Sequence, residues 1–242
     1  MPKIFRTARK ENAKGNNISS YLLYAIGEIA LVMIGILLAL QVNNWNETRR
    51  SKNELQSILN TVATDLKTDT IRANAVIQFY DTISKKSDIV IQRKYTRENF
   101  NECPMCRSIA TVYQPFVIQK KGYELLEKFS ANNGMKNDTL VNDITRFYGS
   151  FILLIDDSNV FVKEQVLKNI ESFQQEEWFV EWSQGLTTKE MITFFTESTD
   201  YRNMVAANNI LAVKNHQSFA RIYKSQAKIF LEKLEERLQK SD

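Results

Sequence analysis

Few residues in this chain of 242 could carry chemistry, and the segment NECPMCRS holds two of them. It sets Cys103 and Cys106, the chain's two cysteines, in a C-x-x-C pattern with Pro104 between them. If a helix begins here, Cys103 sits near its N-cap and Pro104 at its first position, where the missing N–H costs nothing. The helix N-terminus then favours a Cys103 thiolate. Three chemistries fit the pair. Thiol exchange has the motif but lacks the usual setting, since thioredoxin-like proteins place it after a strand in a βαβ plan. Zinc needs two more ligands, which this chain lacks unless a partner supplies them. A local disulfide in an oxidising compartment is the expectation.

His216 is the only histidine, so a catalytic triad or histidine-rich metal site cannot be assembled from one chain. It falls between Ala212 and Phe219 on an apolar stripe and reads as a packed or interfacial residue. The group WFVEW, Trp178 to Trp182, has the spacing of one helix face beside Gly185 and reads as core. There is no glycine-rich phosphate loop, no H-E-x-x-H and no G-x-S-x-G. The acids are dispersed beside Lys or Arg along helical stretches, as on a solvated surface. A non-enzymatic protein with no cofactor and no metal is expected.

The last candidate is Glu28, inside the run YAIGEIALVMIGILLALQVNNW (Tyr24 to Trp45). From Tyr21 to Val42 only Glu28 and Gln41 are strongly polar. At about 1.5 Å per residue those residues rise roughly 33 Å, enough to cross a hydrocarbon core of about 30 Å. Tyr21, Tyr24 and Trp45 suit the two interfaces. The run is too long for a signal peptide, and Ala39-Leu40-Gln41 is a poor cleavage site. Glu28 lies about one turn inside the first boundary. There a carboxylate can reach headgroups, pair with a partner helix or carry protons. Gly35 and Ala39 stand four apart, with Gly27 eight before Gly35 on nearly the same face, a pattern that permits close helix packing.

Charge gives the orientation. Residues 1–20 hold Lys3, Arg6, Arg9, Lys10 and Lys14 against Glu11, leaving 27 basic and 27 acidic residues beyond them. The net charge of +4 is therefore N-terminal. A nucleic-acid-binding domain would carry a basic face on its folded part, so no nucleic-acid partner is expected. Basic residues before the span outnumber Arg49, Arg50 and Lys52 after it, which places the N-terminus in the cytoplasm.

The segment YLLYAIGEIALVMIGILLALQVNNWNE resembles an uncharacterised family of membrane-anchored proteins common in Bacteroidota. The likeness rests on AIGEI (Ala25 to Ile29), GILLALQ (Gly35 to Gln41) and NNWNE (Asn43 to Glu47). The stretch GYELLEKFSANNGMKNDTLVNDITRFYGSF, Gly122 to Phe151, looks like the middle block of that family. The resemblance implies a bacterial inner-membrane protein of unknown function, with no catalytic residues to carry over.

The remaining elements read as helices. No Gly or Pro occurs between Gly35 and Pro104. Leu55, Leu59, Val62, Leu66, Ala73, Ile77, Tyr80, Ile83 and Val90 recur on one stripe. The spanning helix is expected to run on to about Gln92, with a bend at the Asn-rich exit NNWNETRRSKN. A second helix is expected from Phe116 to Ala131, stopped by Asn132-Asn133-Gly134. A third is capped by Asp138 and runs to about Gln175, with Leu140, Ile144, Phe147, Phe151, Leu154 and Phe161 inward. The last spans about Asp200 to Gln239, with Ala212, Phe219, Tyr223, Ala227, Phe230, Leu234 and Leu238 inward. The expected plan is all-α: a cytoplasmic tail (1–20), a transmembrane helix (21–45) and a periplasmic antiparallel helical bundle (46–242). Its expected partners are the lipid bilayer and a membrane or periplasmic protein, a second copy of the chain included.

Overall fold

The computed structural model describes residues 18–133 and 138–240, with side chains from Leu22 onward. The basic tail, the Tyr21 side chain and Gly134 lie outside the described residues. Every regular element among the described residues is a helix, as the composition predicts. They are α1 (Ile18–Ile91), two 3-10 turns (Phe100–Glu102 and Pro104–Arg107), α2 (Lys121–Asn133), α3 (Thr139–Phe173), α4 (Phe179–Ser183), α5 (Lys189–Glu197) and α6 (Thr199–Asn208). A π segment (Asn209–Gln217) then leads into α7 (Ser218–Gln239). The chain divides into two compact units, Met1–Glu54 and Leu55–Asp242.

In the first unit the described side chains of α1 are largely exposed. The Asn-rich exit, expected to bend, is helix without interruption. Side chains one turn apart brace it there. Asn43 Nδ2 donates to Glu47 Oε1 at 3.0 Å, Thr48 Oγ1 donates to the Asn44 carbonyl at 2.8 Å, and the Arg49 guanidinium lies 5.8 Å over the Trp45 ring.

The second unit is built on one hydrophobic core. All nine apolar residues expected inward on α1, from Leu55 to Val90, are buried. Asp138 caps α3 as expected, accepting from the Val141 N–H at 3.1 Å. Its two oxygens also accept from Arg237 at 2.8 and 2.6 Å, tying the start of α3 to the end of α7.

Three expectations give way. The second helix starts at Lys121 rather than Phe116, where the backbone N–H groups of Phe116 and Gln119 are taken by side chains of other helices. On α3 the inward face includes Val141, Ile144, Phe147, Tyr148, Ile155, Val162 and Val166, so Ile144 and Phe147 fall inward as expected, while Leu154 and Phe161 are exposed. That helix carries apolar residues on two sides, and periodicity alone does not say which side finds a partner. The last helix is interrupted by the π segment, which brings His216, Gln217 and Ala220 inward and leaves Phe219 half-buried. Helix α5 was not expected. Its signal was Thr188, whose Oγ1 accepts from the Met191 N–H at 3.2 Å, just ahead of Met191, Ile192, Phe194 and Phe195.

Candidate functional site

Residues 92–120 join α1 to α2, and the chain from Cys103 to Gly122, which ends in the first turn of α2, crosses the second unit largely without regular structure beyond the second 3-10 turn. Such a segment needs partners for its backbone polar groups where it is buried, and α1, α3, α6 and the π segment each send side chains to it. Asn208 Nδ2 donates to the Ile109 carbonyl at 2.9 Å and Asn169 Nδ2 to that of Ala110 at 2.7 Å. Tyr80 Oη donates to the Gln114 carbonyl at 3.2 Å and accepts from the Gln114 N–H at 3.0 Å. Asn159 brackets Phe116, accepting from its N–H at 3.0 Å and donating to its carbonyl at 2.7 Å.

Two carboxylates of α1 complete the harness. The Gln119 N–H donates to both oxygens of Asp69 at 3.1 Å, and the Gly122 N–H donates to Asp65 Oδ2 at 2.6 Å. Together they act as an N-terminal cap for α2 supplied by another helix. Gly122 is required for this approach. A Cβ there would lie 2.7 Å from the Val62 Cα. Asp69 also accepts from Tyr223 Oη at 2.7 Å. Burial raises its pKa from 3.8 to about 6, against the lowering pull of the Tyr223 and Gln119 bonds. Sequence reasoning missed these acids as anchors. The signal was there, since Asp65 and Asp69 fall on the apolar stripe of α1.

His216 belongs to the same harness. Its Nδ1 lies 2.8 Å from Ser158 Oγ and its Nε2 3.3 Å from the Gln114 carbonyl. A carbonyl can only accept, so Nε2 carries the proton and Nδ1 faces the Ser158 hydroxyl, which donates to the Ile155 carbonyl at 2.9 Å. Burial lowers the pKa from 6.5 to about 4, so the imidazole is neutral near pH 7. The packed reading of His216 agrees with this geometry.

At the head of the crossing segment Cys103 and Cys106 form a disulfide, and both residues are buried. Tyr201 Oη donates to the Cys106 carbonyl. The helix imagined at Pro104 is one 3-10 turn of four residues, too short for the dipole argument made for a Cys103 thiolate. Trp178 and Trp182 pack on Phe173 with ring centroids 5.5 and 5.2 Å away, as core. An open cleft of about 790 Å3 beside them is rimmed by Glu176, Glu177, Glu190 and Glu197, the last paired with Arg97.

The apolar stretch of α1 is the other candidate. Its most apolar 18 residues reach a mean hydropathy of 2.4 with none buried, long and apolar enough to cross a membrane. A Cβ added at Gly27 or Gly35 would meet nothing within 4 Å, so both present open helix surface. Trp45 and Tyr24 are 64% and 36% exposed. With α1 helical throughout, positions seven and eleven apart nearly coincide in direction, at about 20°. Glu28, Gly35 and Ala39 therefore share one face, whereas Gly27 stands about 80° round the helix from Gly35.

Residues 28–96 match a family of unknown function, DUF6090. The matched stretch begins at Glu28 and includes Asp65, Asp69 and Tyr80, and it ends in the loop after α1. No curated protein and no solved structure shows a significant match to the chain.

Proposed function

We propose that this is a non-enzymatic single-pass membrane protein of the bacterial inner membrane. In this reading its N-terminus is cytoplasmic and its second unit is presented in the periplasm to other proteins. The observation that carries it is the apolar stretch of α1, none of whose most apolar 18 residues is buried and which water would not tolerate at that length. The basic leader supports the orientation, and the Cys103–Cys106 disulfide suits an oxidising compartment. The likeness of the anchor motifs to a Bacteroidota family points the same way. Buried Asp65, Asp69, Asn169, Asn208 and His216 of the second unit are engaged in holding residues 103–122, which favours a binding role over catalysis, and no cofactor is proposed. Alkaline extraction of native membranes tests the anchor. The chain should stay in the pellet, and release into the supernatant would refute the reading.

A second reading has its own observation. Glu28 shares its face with the small residues Gly35 and Ala39, so a helix packed there would meet the carboxyl directly. In this reading Glu28 couples the anchor to a partner membrane protein, by pairing or by taking up protons. Glu28→Gln should then abolish function with insertion and abundance unchanged, and full function in that variant would remove the idea. Thiol exchange at Cys103 and Cys106 is the least favoured, since both residues are buried.

A further inference from the structure

The outer sides of α3 and α7 carry an apolar surface that the core does not use. Leu153 and Val160, and likewise Leu154 and Phe161, stand seven residues apart on α3, as do Ile222 and Ile229 on α7. Each pair therefore recurs on one side of its helix. The six side chains are 39–66% exposed. A cavity of about 190 Å3, lined in part by Leu154, Phe161 and Phe219, lies between α3 and the π segment and α7. Together the six expose about 600 Å2, the upper end of what a monomer leaves bare. With a polar rim this approaches the roughly 800 Å2 per partner of a standard interface.

We propose that this surface binds a second copy of the chain, about a twofold axis parallel to α3 and α7. The proposal deepens the interaction reading above by naming the surface and the partner, and it rests on that reading. Within one copy α3 and α7 run antiparallel in a fixed register. Asp138 meets Arg237, the Phe147 and Phe230 rings lie 5.0 Å apart, and Ser158 meets His216. A twofold rotation about an axis along this groove exchanges left and right without changing height. Helix α3 of each copy then faces α7 of the other, level with the residues it neighbours in its own chain.

That register brings opposite charges together. Leu153 falls opposite Ile222 of the second copy. Asp157 comes within about a turn of Lys214 of the second copy, and Arg146 within about a turn of its Glu232. All four charged side chains are exposed, and no ion pair of Asp157 or Lys214 occurs among the described residues. Packing α3 against α3 antiparallel, centred on the same four apolar residues, would instead oppose Asp157 to Asp157 of the second copy, like against like. Residues 55–242 hold 24 basic and 24 acidic groups, so no net charge drives two copies apart.

The test uses the full-length chain in detergent. Leu153→Cys and Ile222→Cys proteins are mixed and mildly oxidised, with Ile71→Cys mixed with Ile222→Cys as control. A covalent dimer should form in the first mixture and not in the control. Asp157→Lys should weaken the dimer at least about tenfold, and adding Lys214→Asp should restore it. A monomer at all concentrations, no crosslink above control, or a loss not rescued by the charge swap overturns the proposal. A dimer that persists without the crosslink is held elsewhere and overturns it as well. Release of the chain by alkali would refute the anchor reading while leaving the crosslink result intact.

Discussion

Asp69 and His216 grip the same crossing segment and titrate in opposite senses. Asp69 is raised from 3.8 to about 6 when folded, so the stability tied to its carboxyl is full below about pH 4 and is lost as pH rises through 6. His216 is lowered from 6.5 to about 4, so its contribution is full above 6.5 and is lost as pH falls through 4. Each shift corresponds to about 3 kcal/mol, and between pH 4 and 6.5 the two largely offset. Chemical unfolding across that window should show little change from this pair in the native chain. Asp69→Asn should lose stability on acidification relative to its own value at pH 7, and His216→Gln should gain it. Parallel profiles for the two variants would contradict the assignment. Gly122 makes a simpler prediction. A methyl there meets the α1 backbone 2.7 Å away at Val62, so Gly122→Ala should cost about 2–4 kcal/mol in the same assay. A change under about 0.5 kcal/mol would show that the helices do not approach so closely.

At the scale of elements, Asp138 joins two helix ends through one side chain. It caps α3 and pairs with Arg237 of α7, whose guanidinium holds the Asp138 carboxyl below its ordinary range. Asp138→Ser should retain the cap and lose the pair, whereas Asp138→Ala loses both and should cost about 1 kcal/mol more. Equal melting of the two variants would mean that the cap contributes nothing. Asp138 was legible because an N-cap is a local device, announced by an acid before an apolar run. The stripe of α1 was legible for a similar reason, having one apolar side and no competitor. What stayed hidden is non-local. Nothing near Phe116 in the sequence says that Asn159 will take both its backbone hydrogen bonds. Helix α3 shows two apolar sides, of which the core takes one. The π segment shifts the inward face of the last helix by about a residue, from Phe219 to Ala220, and no local pattern marks it. The disulfide was an expectation from composition and compartment, whereas the burial of both its cysteines comes from packing around Tyr201.

For the whole molecule, an apolar stretch of α1 with exposed side chains precedes a unit in which buried polar side chains hold the segment between α1 and α2. That division fits the reading proposed above, a membrane anchor carrying an extracytoplasmic interaction module, for which topology is the decisive property. The most direct measurement is protease digestion of the expressed full-length chain in intact spheroplasts, compared with inverted membrane vesicles. The account predicts that, once the fold is loosened by reductant and mild denaturant, residues beyond about 46 are digested in spheroplasts and protected in inverted vesicles. Protection in spheroplasts with digestion in inverted vesicles would place the second unit in the cytoplasm and contradict it.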